Sequence, residues 1–200
     1  MRLLIVTNDY PPEPGGIQMY LRNLVDAYPD AVHVVGPADA NADPSEEGIT
    51  RGERSYMLPT AATGALVVDA ARKFNPDAIL FGAPHPLPFL TGRLRRELEI
   101  PIGVISYGAE ITIPAAVPGL RQVLGRGLAA ADVRFALSGF VAERVHRMTG
   151  KPVEVLGAGV EIDTFTPPPS PPVNDVPVVG CVSRFVPRKG QARLLEAAAR

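Results

Sequence analysis

The chain has 200 residues, of which 46% are hydrophobic and 20% charged. That balance is typical of a soluble globular protein and excludes a disordered tail, a coiled coil and a fibrous repeat. The 20 Lys and Arg residues against 21 Asp and Glu residues give a net charge of -1. The chain as a whole therefore has no bulk affinity for nucleic acid or anionic lipid, and any anion site must be local.

Short apolar runs alternate along the chain with segments of helical period, which is the pattern of strand-helix-strand units with a parallel sheet. We predict strands at 3–7, 31–35, 78–81, 102–106, 133–137 and 153–156. We predict helices at 17–28, 65–74, 87–98 and 120–131, and a further helix that Ser138 caps. The order predicts a doubly wound α/β sheet, Rossmann-like, over residues 1–165.

One weaker element completes this first part. Within residues 37–63, Tyr56 to Leu58 form the only plausible strand. No run is apolar and long enough for a secretory leader or a membrane span, so we expect a cytoplasmic chain.

The second part of the chain begins after a proline-rich stretch. Six of the 22 prolines fall between Pro167 and Pro177, and we predict an extended linker over 166–177. A strand at 176–183, with Cys181 buried in it, a loop at 184–190 and a helix at 191–200 would begin a second α/β domain over 178–200. A lone strand and helix cannot bury a core, so we expect a truncated chain whose second domain is incomplete.

Two loops carry the signals for an anion site. Gly15 and Gly16 stand directly before the first helix, where bare backbone N–H groups and the helix dipole favour a phosphate. A tight turn is the alternative. The loop lacks the G-x-G-x-x-G spacing, which disfavours a nicotinamide dehydrogenase.

The second loop is basic. Arg184, Arg188 and Lys189 precede a helix N-terminus, where cations are disfavoured unless an anion lies between them and the helix. Solvated surface cations are the alternative. If the two loops begin two α/β domains, they would face each other across a cleft that suits a diphosphate.

Four ordered motifs resemble family-4 retaining glycosyltransferases of the GT-B fold, and the phosphatidylinositol mannoside mannosyltransferases of actinobacteria most of all. They are NDYPPEPGGIQMYLRNL from position 8, SYGAEI at 106–111, AGVEIDTFTP at 158–167 and GCVSRFVPRKG at 180–190. The resemblance implies transfer of mannose from GDP-mannose, the donor substrate, to a lipid or polyol acceptor, without metal or other cofactor. It also implies that residues 1–165 are the acceptor-side domain, that 178–200 begin the donor-binding domain, and that the chain alone is inactive.

The resemblance also implies roles for individual residues. Gly15 and Gly16 would contact the donor diphosphate, while Arg184 and Lys189 would bind it and neutralise it as it leaves. Tyr107 stands where relatives usually have a catalytic histidine, and packing of its ring is the alternative role. Acceptor-binding residues would be Asp9, Gln18 and Glu110.

The sequence leaves the function and the membrane contact open to a second interpretation. A non-catalytic phospho-ligand-binding α/β module is the alternative function. The apolar run 111–120 with Arg121 and Arg126 is a candidate for peripheral contact with the inner membrane face, and a loop that covers the cleft is the alternative.

Overall fold

The structure is a computed structural model that describes residues 1–117, 119–160, 162–167, 170, 176–183 and 185–199. It divides into two compact units, Met1–Gly159 and Val160–Arg200. The predicted linker 166–177 falls mostly on residues outside this description.

The first unit is built on one sheet of seven parallel strands. The strands are β1 (Leu3–Val6), β2 (Val32–Gly36), β3 (Ile49–Arg51), β4 (Ala78–Phe81), β5 (Ile102–Ser106), β6 (Val133–Ala136) and β7 (Glu154–Val155). Their order in the sheet is β3-β2-β1-β4-β5-β6-β7, and all pairs are parallel. The fold class expected from the sequence is confirmed, and the order reverses between β1 and β4.

Six helices of this unit connect the strands. They are α1 (Gly16–Ala27), α2 (Ala61–Phe74), α3 (Thr91–Leu98), α4 (Ala109–Ala115), α5 (Leu120–Ala130) and α6 (Gly139–Thr149). The predicted helix 87–98 is divided into a 3₁₀ turn, Leu87–Leu90, and α3. Ser138 caps α6 as expected, because its side chain accepts a hydrogen bond from the backbone N–H of Val141.

The helices cover both faces of the sheet. Alternate residues of β1 point to opposite sides, so Leu4 and Val6 belong to one apolar cluster while Leu3 and Ile5 belong to the other. Helix α1 packs on the second cluster through Leu21, and α2 to α6 pack on the first. A parallel sheet needs this double cover, and it explains the uninterrupted apolar runs in the sequence.

The edge strand β3 corrects one prediction. The strand expected at Tyr56 to Leu58 is wrong, because those residues lie in the connection to α2 and the strand is Ile49–Arg51. The three residues of β3 pair with Val34, Val35 and Gly36 of β2. Long-range pairing, rather than local apolar character, decides which segment becomes the edge strand.

The second unit contains a 3₁₀ turn, Pro187–Lys189, and helix α7, Gln191–Ala198. The strand predicted at 176–183 is wrong, since those residues form no strand and residues 176–182 are exposed. Cys181 is exposed rather than buried. A parallel strand is buried only between neighbours that pair with it, and the described residues of this unit supply none.

Across the described residues, every helix is too short or too polar to cross a bilayer.

Candidate functional site

The segment that follows β1 forms the centre of the candidate site. Thr7 is fully buried, and its hydroxyl accepts the backbone N–H of Asp9 at 2.9 Å. Asn8 is buried and pairs twice with the backbone of Met57: its Nδ2 donates to the carbonyl at 2.9 Å and its Oδ1 accepts the N–H at 2.7 Å. These contacts fix the backbone on either side of Asp9 at the carboxyl edge of the sheet, where ligands bind in open α/β folds.

The double glycine begins α1 at the same edge. Gly15 is the N-cap residue and Gly16 the first residue of the helix, with no side-chain cap and no acidic residue in the first turn. A Cβ on Gly16 would meet no atom within 4 Å among the described residues. Gly16 is exposed and no side chain caps the first N–H groups of α1, which is the arrangement that the phosphate hypothesis requires.

Gly15 is needed for a close approach. A Cβ at this position would lie 2.1 Å from Oε1 of Gln18, so any side chain would displace that amide. Gln18 is itself buried, and its Nε2 donates to Oδ1 of Asp9 at 3.4 Å. The structure thus brings together three of the predicted site residues: Asp9, Gly15 and Gln18.

Asp9 lies in an unfavourable environment for a carboxylate. Burial raises its pKa above the ordinary value, Glu13 and Glu110 raise it further through their negative charges, and His85 opposes them. A carboxylate held in this way is a strong acceptor for hydroxyl groups, because a hydrogen-bond donor relieves the cost of its burial.

Tyr107 follows β5 and points into the same region. Its hydroxyl is buried and has no hydrogen-bond partner among the described residues, as is true of the Ser106 hydroxyl beside it. The ring packs edge to face on Tyr20, with the centroids 5.5 Å apart. Burial strongly raises the pKa of Tyr107, so at neutral pH its hydroxyl stays protonated and can donate a hydrogen bond but cannot act as a base.

Glu110 is engaged in the turn that begins α4. Its Oε1 accepts the backbone N–H of Gly108 at 2.8 Å and that of Tyr107. This carboxylate therefore orients the 106–111 motif, and its charge acts on both Asp9 and Tyr107.

The basic loop belongs to the second unit. Lys189 is exposed at the end of the 3₁₀ turn, followed by Gly190 with φ 74° and then by α7. Arg184 and the side chain of Arg188 lie outside the described residues, so the predicted role of Arg184 stays a prediction.

Sequence reasoning missed two residues of this edge, Asn8 and Arg51. Arg51 ends β3, and its Nη2 donates to the carbonyl of Pro11 at 2.7 Å and to Glu46 at 2.9 Å. The hydrogen bond from Arg51 to Pro11 joins the edge strand to the loop that precedes Gly15. The sequence shows only an arginine in a polar segment, which does not reveal a partner 40 residues away.

Comparisons with known proteins agree with the motifs. The chain is 31% identical, over 98% of its length and 56% of the relative's, to the GDP-mannose-dependent monoacylated alpha-(1-6)-phosphatidylinositol monomannoside mannosyltransferase of Corynebacterium glutamicum. The chain is also 30% and 31% identical to the GDP-mannose-dependent alpha-(1-6)-phosphatidylinositol monomannoside mannosyltransferases of Mycobacterium tuberculosis and Mycolicibacterium smegmatis. Each of these alignments covers 98% of this chain and 56% of the relative. The chain spans about half the length of these curated relatives. No protein-family model matches it.

Solved structures agree on the fold. The chain is similar to HepE of Anabaena, solved with UDP and glucose, with a TM-score of 0.61 and 17% identity over 84% of this chain and 47% of that one. It is also similar to the lipopolysaccharide outer core galactosyltransferase WaaB, with a TM-score of 0.62 and 13% identity over 88% and 50% of the two chains. The resemblance to glycosyltransferases of the GT-B fold is confirmed.

Proposed function

We propose that this chain, a homologue of the phosphatidylinositol mannoside mannosyltransferases, acts in the transfer of a mannosyl group from GDP-mannose to a lipid or polyol acceptor such as phosphatidylinositol mannoside. The observation that carries the proposal is the alignment with those enzymes over 98% of the chain. The geometry after β1 supports it, because an uncapped helix N-terminus and a half-buried carboxylate lie in the same loop, as a phosphate-bearing donor and a hydroxyl-bearing acceptor require.

The donor diphosphate is assigned to Gly15 and Gly16, whose backbone N–H groups begin α1. Lys189 and Arg184 are assigned to the charge that grows on the diphosphate as the bond to the sugar breaks. Cations positioned for a charge that develops only in the transition state lower the barrier. In this proposal they take the role that a divalent metal has in other transferases, so no metal or other cofactor is required.

The acceptor is assigned to Asp9, Gln18 and Glu110. The half-buried carboxylate of Asp9 would accept a hydrogen bond from an acceptor hydroxyl, and Gln18 already orients that carboxylate. Tyr107 would donate its hydroxyl hydrogen bond to the reacting sugar, since its hydroxyl is buried, protonated and unpaired among the described residues.

The transfer would retain the configuration at the anomeric carbon. The bond from that carbon to the diphosphate oxygen breaks, and the diphosphate keeps the electron pair. The acceptor oxygen forms the new bond on the same face of the sugar and passes its proton to the departing diphosphate oxygen. No residue of the chain needs to act as the base, which is consistent with the protonated Tyr107.

A membrane-lipid acceptor requires the protein to reach a membrane surface, and a cytoplasmic location with peripheral contact at the inner face is part of the proposal. In the candidate run 111–120, Ile111 is fully buried in α4 while Val117 and Leu120 are exposed. Among the described side chains of that run, the exposed apolar ones therefore lie at the end where α5 begins.

The test combines binding and turnover. Calorimetry of the chain with GDP-mannose, UDP-glucose and inositol phosphate measures recognition. Transfer from labelled GDP-mannose to phosphatidylinositol mannoside, by the chain and by the longest form of the protein that its organism makes, measures activity. Retention is read from the anomeric configuration of the product, and metal independence from an unchanged rate in EDTA.

In the longest form of the protein, Lys189→Ala should lower donor affinity and turnover at least 10-fold, whereas the matched control Lys151→Ala, an exposed lysine after α6, should change neither. Full turnover by Lys189→Ala would refute the role of that lysine. Binding of phosphate ligands without transfer by any form would favour the non-catalytic module instead.

A further inference from the structure

Tyr20 joins two parts of the first unit that are far apart in the sequence. It lies in the second turn of α1, is half-buried, and packs against the apolar cluster on the α1 side of the sheet. Its hydroxyl donates a hydrogen bond to the carbonyl of Gly157 at 3.3 Å. Its ring packs edge to face on Tyr107, with the centroids 5.5 Å apart. One side chain of α1 therefore contacts both the 106–111 motif and the segment that follows β7.

The segment 156–159 carries the chain from β7 to the end of the first unit. Three of its four residues are exposed. Two hydrogen bonds tie it to the rest of the unit: the N–H of Leu156 donates to the carbonyl of Ala136 at 2.9 Å, and the carbonyl of Gly157 accepts from Tyr20. A segment with few buried contacts opens at a low cost, so its position depends on these bonds.

Gly157 sets the direction in which the chain continues. Its φ is 73°, in the left-handed region that glycine adopts without strain. The carbonyl that Tyr20 binds belongs to the peptide plane between residues 157 and 158, so the hydrogen bond fixes the orientation of that plane. Every later residue, Lys189 included, is reached through this plane.

Tyr20 also restricts Tyr107. The Tyr107 hydroxyl has no hydrogen-bond partner among the described residues, so the packing of its ring, rather than a bond to its oxygen, sets its direction. Burial raises the pKa of Tyr20, whose hydroxyl is therefore protonated at neutral pH, as donation to Gly157 requires. Because that single hydrogen is used by the carbonyl, the Tyr107 hydroxyl stays available for a ligand.

We propose that Tyr20 is a positioning residue of the transfer reaction, with its ring orienting Tyr107 and its hydroxyl orienting the segment 156–159. The inference rests on the proposed function, since it deepens the roles assigned there to Tyr107 and Lys189. The two tasks belong to different atoms of one side chain, so two substitutions separate them. Loss of the hydroxyl releases only the segment, whereas loss of the ring also releases Tyr107.

Tyr20→Phe in the longest form of the protein keeps the ring and removes the hydroxyl. We expect the KM for GDP-mannose to rise about 3- to 10-fold, the range for one neutral hydrogen bond, while kcat changes less than 2-fold. The donor-binding arrangement becomes a smaller fraction of the molecules, and the apparent affinity falls by that fraction. The matched control is Tyr28→Phe, at the other end of α1, where the hydroxyl makes no hydrogen bond within the described residues. It should change neither constant as much as 2-fold.

Tyr20→Leu removes the ring as well, and we expect kcat to fall about 10-fold or more below that of Tyr20→Phe. A double-mutant cycle tests whether this loss acts through Tyr107. Tyr107→Phe alone should lower kcat about 10-fold or more, and adding Tyr20→Leu to it should lower kcat less than 2-fold further. A general loss of structure would lower kcat in either background. Additive losses, full kcat for Tyr107→Phe, or an unchanged KM for Tyr20→Phe would each overturn the proposal.

Hydrogen exchange separates this inference from the proposed function. In the 200-residue chain, Tyr20→Phe should speed exchange of the backbone amides of 156–159 about 3-fold or more, and Tyr28→Phe should not. If exchange responds in this way but no form of the protein transfers mannose, the contacts of Tyr20 stand and the transferase proposal fails. If transfer occurs and Tyr20→Phe changes neither the KM nor the exchange, the transferase proposal stands and the role of Tyr20 fails.

Discussion

Replacing Asn8 by alanine should destabilise the first unit by about 2–6 kcal/mol. Asn8 gives Met57 both a donor and an acceptor, at 2.9 and 2.7 Å, and Met57 is only 4% exposed. Without them, one buried N–H and one buried carbonyl lose their partners, and each such group costs about 1–3 kcal/mol. In a unit of this size, that corresponds to a fall in Tm on the order of 10 °C.

Urea unfolding followed by circular dichroism at 222 nm gives the free energy of unfolding, because the chain has no tryptophan to report on the transition. Asn41→Ala, in an exposed loop, is the matched control and should change stability by less than about 0.5 kcal/mol. Trypsin should cleave Asn8→Ala faster after Arg54, since the connection to α2 loses its tie to β1. A loss below about 0.5 kcal/mol for Asn8→Ala would refute the reasoning.

Asn8→Asp tests the same pair through pH. The aspartate keeps an oxygen for the N–H of Met57 but sets a second, charged oxygen against the Met57 carbonyl. Stability should therefore be lower than that of the natural chain at pH 7. The deficit should shrink as the pH falls, because a protonated carboxyl group again donates to the carbonyl.

Three further predictions concern single side chains. Gly16→Ala should leave the free energy of unfolding unchanged or raise it by about 0.5–1 kcal/mol, and yet weaken GDP-mannose binding at least 10-fold. Gly15→Ala, in contrast, should displace the Gln18 side chain. Unchanged calorimetric affinity for Gly16→Ala would refute the diphosphate assignment. Asp9→Asn should be more stable than the natural chain at pH 7, because the folded-state pKa of Asp9 is raised and its ionised form destabilises the fold. The stability advantage of Asp9→Asn should diminish as the pH falls through the raised pKa of Asp9, and vanish below the ordinary pKa of an aspartate. A difference in urea unfolding that does not change with pH would contradict this prediction. Arg134→Met should lower the free energy of unfolding by about 2–4 kcal/mol in the same assay, because this buried arginine donates hydrogen bonds to three backbone carbonyls. A loss no larger than that for replacing an exposed arginine would contradict this reasoning.

The sequence was most informative where local pattern and final environment agree. The apolar residues of β1, β4 and β5 are buried on both faces of the sheet, so their runs predict strands directly. The apolar stripe of α1 and the serine before α6 likewise act within a few residues of their own position. Such elements depend little on the rest of the fold.

Elements that depend on distant partners could not be predicted in the same way. The segment from Tyr56 to Leu58 is apolar but forms no strand, since the backbone of Met57 is bonded to the Asn8 side chain. The strand is Ile49–Arg51, which owes its conformation to pairing with β2. Asn8 reads as an ordinary turn residue, yet its role comes from Met57, which is 49 positions away. The candidate site could be predicted only in part. Gly15 and Asp9 stand in one loop of the sequence, whereas no local pattern indicates that Arg51 donates a hydrogen bond to Pro11.

The segment 178–183, of which residues 178–182 are exposed, affects how this 200-residue chain behaves at high concentration. It consists of six uncharged residues with three valines, which are 78%, 70% and 103% exposed, and it also contains the exposed Cys181. Short uncharged segments rich in valine pair readily with copies of themselves, and an exposed thiol can make such a pair covalent by oxidation. We therefore expect self-association to increase with protein concentration and to be reduced by a thiol reductant, so ligand titrations at low micromolar concentration in reducing buffer will report on the monomer.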